Sequence, residues 1–184
     1  MRPFAWILAL TAACTGCADP RPPLRTVASV DLKQMEGTWY VTHNIPYWLE
    51  EGKVATADVY RLRPDGRMDN VFVFRRGTFD APEESWRGVA WVHDRSTNAH
   101  WKVRFLWPMS TDYLIIDRDD AYAWVAVGHP SRDYFWILSR TRQLPTEIID
   151  GIMTRATAQG YERNRFAAVP QPAEPFPPTV MPLE

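Results

Sequence analysis

The chain has 184 residues, a formal net charge of −1, and 46% hydrophobic, 13% aromatic and 23% charged residues. One domain of about 150 residues with tails is expected, and the charged fraction is that of a globular chain rather than a disordered one. The near-neutral charge offers no basic stripe for nucleic acid, and no apolar run reaches the ~18 residues of a membrane-spanning helix, which excludes a polytopic membrane protein.

The N-terminus reads as an address. Arg2 precedes the apolar run 4–10, and small residues follow up to Cys14 and Cys17. A basic start, a short apolar stretch and small residues form a secretory signal that does not belong to the fold. Both cysteines of the chain sit here, so the folded domain has no disulfide framework. Leu10-Thr11-Ala12-Ala13-Cys14 resembles a bacterial lipobox, and Cys14-Thr15-Gly16-Cys17 matches it at the two nearest positions. Lipidation at Cys14 or Cys17 is the expectation, with cleavage near Ala18 and a soluble periplasmic protein as the alternative. Residues 1–17 are thus a lipoprotein signal region. Residues 18–28 hold Pro20, Pro22 and Pro23 and read as a stiff tether.

Eight short segments bounded by turn residues read as strands: 37–45, 54–63, 67–76, 85–94, 98–107, 111–117, 122–128 and 133–141. Pro64-Asp65-Gly66, Asp80-Ala81-Pro82, Ser96-Thr97-Asn98 and Gly128-His129-Pro130-Ser131 punctuate them. Eight strands at such spacing point to an all-β sandwich or barrel. Trp101, Val103 and Phe105 alternate with Lys102 and Arg104, which gives one buried face. Ile148, Ile149, Ile152, Met153 and Ala156 then recur at helical spacing, with Thr146 as the expected N-cap and Gly160 as the stop. This apolar stripe is expected to pack on the outer wall. Residues 169–184 are Pro-rich and read as a disordered tail or one lying along the surface.

Three short regions carry a resemblance to a known family. Gly37-Thr38-Trp39 opens the first strand, Thr111-Asp112-Tyr113 the sixth, and Arg140 ends the last. In this order, with a helix after them, they resemble the lipocalins over residues 29–168. Asp133-Tyr134-Phe135-Trp136-Ile137-Leu138-Ser139-Arg140-Thr141 looks especially like the bacterial outer-membrane lipocalins, the branch grouped with apolipoprotein D. The resemblance implies an eight-stranded up-and-down antiparallel barrel with a C-terminal α-helix packed outside. It also implies that Gly37, Trp39 and Arg140 close the barrel floor, the guanidinium lying over the indole as a cation–π pair.

A barrel of eight strands encloses room for one small ligand. With Arg140 facing in, alternation places Tyr60, Phe72, Trp101, Val103, Phe105, Tyr134 and Trp136 in the lumen. Asp58, Leu62 and Asn70 share that parity, and the small Gly88, Ala90 and Val92 leave space. Tyr47 and Trp48 form an aromatic rim at the mouth. The family implies fatty acids or lysophospholipids as ligands, stored or transported at the outer membrane, with a role in envelope maintenance under stress. It also allows a homodimer.

Two rival functions are weighed against this one. An enzyme would need a catalytic constellation, but His43, His93, His100 and His129 are dispersed without metal-ligand spacing and no G-x-S-x-G elbow occurs. Asp117, Asp119 and Asp120 read as turn formers. No metal or cofactor is expected, although an inward His43 would suit haem. The second rival is an envelope assembly lipoprotein with a vestigial pocket, using outward-facing Trp91 and Trp124 as an interaction face.

Overall fold

Alternation of apolar and polar residues lets each strand bury one face, and eight consecutive strands of this kind can share a single interior if the sheet closes on itself. A computed structural model, which describes residues 21–173, has this form. The strands are β1 (Gly37–Ile45), β2 (Lys53–Leu62), β3 (Met68–Arg76), β4 (Glu84–Asp94), β5 (His100–Leu106), β6 (Met109–Arg118), β7 (Trp124–Gly128) and β8 (Phe135–Ser139). Each pairs antiparallel with the next, and β8 returns to β1. The helix α1 (Thr146–Thr157) and a two-residue strand β9 (Ala167–Ala168) complete the fold. The expected barrel and outer helix are both present.

The interior and exterior hold separate apolar clusters. Inside lie Trp39, Val41, Tyr60, Phe72, Trp101, Val103, Tyr113 and Leu138 with their neighbours. Outside, Ile152, Met153 and Ala156 of α1 pack on Trp124, Ala126, Phe135 and Ile137. Thr146 is the first helical residue rather than its cap; Pro145 precedes it and no side chain caps the end. Pro at the helix boundary supplies a suitable fixed φ without needing a donor. Gly160 stops the segment: with φ +91° at Gly37 and +96° at Gly160, these positions favour glycine. At the helix end Gly160 N–H donates to Thr157 O and Tyr161 N–H to Ala156 O, a Schellman arrangement.

The closed end is built by residues 30–36 and by Arg140. Arg140 lies just past β8, its guanidinium carbon 3.7 Å from the centre of the Trp39 ring. It donates to Thr38 O at 3.0 Å and Gln34 O at 2.5 Å. The Trp39 indole N–H donates to Met35 O at 2.7 Å. A side chain at position 37 would meet Arg140 Nη1 at 3.3 Å. Above the floor, Asp119 Oδ2 accepts the N–H groups of Ala121 and Ala123, and Asp117 pairs with Arg155 of α1. These aspartates therefore shape a turn and tie down the helix.

Both flanking segments join the fold. Of the expected tether, residues 21–28 run along the outer wall: Leu24 is buried there, Arg25 N–H donates to Gln159 Oε1 and Val27 N–H to Ile115 O. Of the expected tail, Val169 N–H donates to Thr42 O, Pro170 O accepts from Ala55, and Gln171 Nε2 reaches Val41 O and Thr56 O. Proline removes donors but leaves carbonyls free to accept, so such segments can still lie along a strand. Cys14 and Cys17, and the tail from 174 onward, lie outside the described residues.

Arg140→Ala removes the cation–π contact and two hydrogen bonds at the floor. It is expected to cost about 2–3 kcal/mol in urea unfolding. Arg140→Lys should recover little of this loss, because a point ammonium cannot cover the ring and fork to both carbonyls.

Candidate ligand-binding site

The floor is sealed, so the opposite end of the barrel is the mouth. It is bounded by the turns between β1 and β2, β3 and β4, β5 and β6, and β7 and β8. Aromatic rings descend from it as a continuous stack. Tyr134 and Trp136 have ring centres 6.4 Å apart, Trp136 and Tyr113 6.4 Å, and Tyr113 and Trp101 5.7 Å. Tyr60 meets Trp101 edge-on at 5.9 Å. Across the lumen Phe72, Phe74 and Trp86 form a second group within 5.7 Å of one another. Offset and edge-to-face contacts of this kind add about 0.5–1.5 kcal/mol each beyond area burial.

Of the expected lumen residues, Tyr60, Phe72, Trp101 and Val103 belong to the inner cluster, and Trp136 packs against it half-buried. Two lie elsewhere. Phe105 is 41% exposed at the rim. It is next to last in β5, where the ladder to β6 is irregular, and its ring reaches across Gly88, 2.7 Å from where a Cβ would stand. The space expected at Gly88 is therefore taken by Phe105. Tyr134 precedes β8 and packs edge-on against Tyr47 at 5.2 Å, so it is part of the mouth. Tyr47 is half-buried there, while Trp48 is exposed.

His43 faces outward. A register shift between Val41 and His43 reverses the alternation, so that Val41 pairs with inward Leu138 but His43 with outward Ile137. A bulge moves every later side chain to the other face. It thus turns Asn44 inward, opposite Trp136. Among the described residues no histidine enters a group of three potential metal ligands. Trp124 faces outward as expected but is buried beneath α1, and Trp91 is half-buried under Arg104. Neither offers the exposed interaction face that its parity suggested.

The bulge brings polar groups into the lumen that alternation alone did not reveal. Asn44 donates to Glu50 Oε2 at 3.2 Å, and the Trp136 indole N–H donates to the same carboxylate at 2.9 Å. Burial raises the Glu50 pKa above the ordinary carboxylate value. Deeper, Asp58 is buried beside Asn70 and Tyr60, with the Tyr60 and Tyr113 hydroxyls 2.9 Å apart. Burial first, then the Glu50 charge, push the Asp58 carboxyl up to about 8. Asn70 Oδ1 is buried with no donor among the described residues. At the mouth Lys53 Nζ lies 4.7 Å and 4.6 Å from the centres of the Phe74 and Trp86 rings and donates to Leu49 O. Burial lowers its pKa. Lys53, Asn44 and Glu50 escaped the sequence reading, although the parity of strand two did place Asp58 and that of strand three Asn70 inside.

Comparison with known proteins agrees with this architecture. The chain is 33% identical over 179 residues to the outer membrane lipoprotein Blc of Citrobacter freundii, covering 94% of this chain and 99% of that protein. It is 32% identical to outer membrane lipoprotein Blc of Escherichia coli K12 with the same coverage. Among solved structures, insecticyanin from the tobacco hornworm superposes with a TM-score of 0.66 at 16% identity, over 84% of this chain and 87% of that one, a likeness of fold alone. Residues 30–171 match the lipocalin-like domain, and the chain belongs to that family.

Proposed function

We propose that this protein is a lipid-binding lipocalin held at the bacterial outer membrane by acylation of Cys14 or Cys17. It would store or transport fatty acids or lysophospholipids there and thereby serve envelope maintenance under stress. It acts by binding rather than by catalysis. The observation that carries this reading is the ring stack Trp136–Tyr113–Trp101–Tyr60, which leads from the mouth into the barrel. Largely apolar walls with a few placed polar groups are what an elongated hydrophobic ligand requires. The similarity to outer membrane lipoproteins supports the location.

Charge sets the direction of the ligand. Asp58 lies deep in the interior, whereas Lys53 stands at the mouth, close to Glu50 of the β1–β2 connection. At neutral pH the Asp58 carboxyl, raised to about 8, is mostly protonated and gives an anionic head no counter-charge in the interior, whereas the Lys53 ammonium at the mouth attracts it. The acyl chain therefore enters first, and the carboxylate or phosphate stays near Lys53.

Intrinsic tryptophan fluorescence of the delipidated protein tests this. Titration with oleate or a lysophospholipid is expected to give saturable one-site quenching. Trp101→Ala and Trp136→Ala should each weaken binding about tenfold, or ~1.4 kcal/mol. Lys53→Met should weaken oleate about five- to tenfold and leave a neutral monoacylglycerol within about twofold. A folded protein that gives no saturable change with either lipid would sink this reading and favour an envelope assembly lipoprotein.

Asp58 adds a pH signature. Its carboxyl titrates near 3.8 in ordinary surroundings and at about 8 in the folded protein. Between these values the folded state keeps a proton that the unfolded chain releases, so stability is highest below pH 4 on this account and falls as pH rises toward 8. Asp58→Asn removes that slope. Denaturant unfolding at pH 5 and pH 8 should show the variant gaining on wild type between the two, by at least ~1.4 kcal/mol, the equivalent of one pKa unit.

A further inference from the structure

Among the described residues the large apolar side chains that stand exposed are Trp48, Leu49, Phe105, Leu106, Trp107 and Met109. All lie at the mouth. The first two sit on the β1–β2 connection and the other four at the tip of the β5–β6 hairpin. Trp107 is 78% exposed, and Trp48 and Leu106 are each 64% exposed. In an eight-stranded meander these two connections stand on opposite sides of the opening. The turns at the closed end are polar instead, with Asp65, Gly66 and Arg67 after β2, and Arg95, Ser96 and Thr97 after β4. Apolar patches rimming one end of a monomer mark a contact surface. Tryptophan at its tips suits the boundary between headgroups and acyl chains of a bilayer.

The N-terminal segment decides between a bilayer and other occupants. Arg21 is held at this same end, its Nη2 donating to Ser131 O at 2.7 Å in the β7–β8 turn. From there the chain descends the outer wall, and Val30 N–H reaches Thr97 O at the closed end. Cys17 is four residue steps before Arg21, a reach of at most ~14 Å even when fully extended. Strands of ten residues, tilted as in a barrel, make the wall about 25 Å high. An anchor at Cys17 therefore cannot place the bilayer against the closed end while residues 21–27 stay docked. From Cys14 the limit is ~25 Å, barely the height of the wall.

We propose that the mouth is the face this protein turns to the phospholipid bilayer, with Trp48 and Leu49 on one side and residues 105–109 on the other seated in the interfacial zone. This rests on the anchoring reading above. The lumen then opens directly onto the bilayer, and a lipid exchanges between them without crossing bulk water.

The test uses the full-length acylated protein in phosphatidylethanolamine–phosphatidylglycerol vesicles, with and without a phospholipid spin-labelled near the headgroup. Flotation reports attachment, and tryptophan quenching by the spin label reports depth. Wild type is expected to float and to be quenched. The double variant Trp48→Ser/Trp107→Ser should float equally but lose at least half of the quenching, whereas Trp91→Phe on the side wall should keep all of it. Floating protein whose quenching is unchanged in the double variant overturns the proposal and leaves the anchor intact. Protein that does not float overturns both. If the rim is unquenched and sedimentation shows a dimer that the double variant breaks, a second copy covers the rim and the proposal fails.

Discussion

Arg140 is the clasp on which the barrel depends. A sheet of eight strands is a barrel only when its first and last strands meet, and closure is what removes the exposed edges that would otherwise pair with other chains. Arg140 stands where β8 ends and holds the carbonyls of Gln34 and Thr38 while covering Trp39. One planar cation thus joins the last strand, the approach to the first strand and the largest ring of the floor. The absence of a side chain at Gly37 lets the guanidinium come this close. Because that end is filled, any path into the interior starts from the other.

Irregularities in the ladder then decide what the interior contains. Had β1 alternated without interruption, His43 would line the lumen and Asn44 the outer wall. The bulge after Val41 exchanges them, and the residue brought inside is the one that anchors Glu50 beneath the indole of Trp136. A single extra residue therefore substitutes an acid-binding amide for an imidazole at the mouth. The polar groups lie on two levels, Glu50 with Asn44 above, close to Lys53 at the rim, and Asp58 with Asn70 below. The ionic pair Glu50 and Lys53 thus marks the opening, and the carboxyl deeper down is held toward its neutral form by burial.

The fold was legible in the sequence because period-2 alternation and turn residues are local signals. All eight strands lie within a few residues of where alternation and turns placed them, and the apolar stripe of α1 identified its packing face. Tyr60, Phe72, Trp101 and Val103 followed from the same alternation. What escaped was non-local. Phe105 has the parity of a lumen residue, yet strand length, not parity, leaves it at the rim. Trp124 has the parity of a surface residue, yet α1 returns to cover it. Gln171 sits in a Pro-rich stretch that no periodic pattern would assign to the wall, and its role comes from two carbonyls on different strands.

The split between β1 and β2 gives that last contact its meaning. Their pairing runs only from Gly37 with Tyr60 to Tyr40 with Ala57. Nearer the mouth the two strands part, and residues 167–171 fill the gap: β9 pairs with His43 and Asn44, while Pro170 O receives the N–H of Ala55. The wall is therefore finished by a segment that follows all eight strands and α1 in the chain. A growing polypeptide can bring its eight strands together and still have an unzipped slit beside the opening until Gln171 arrives. Completion of the container thus waits for a segment beyond α1, and a chain cut short after α1 would keep its floor and its helix but leak along one seam.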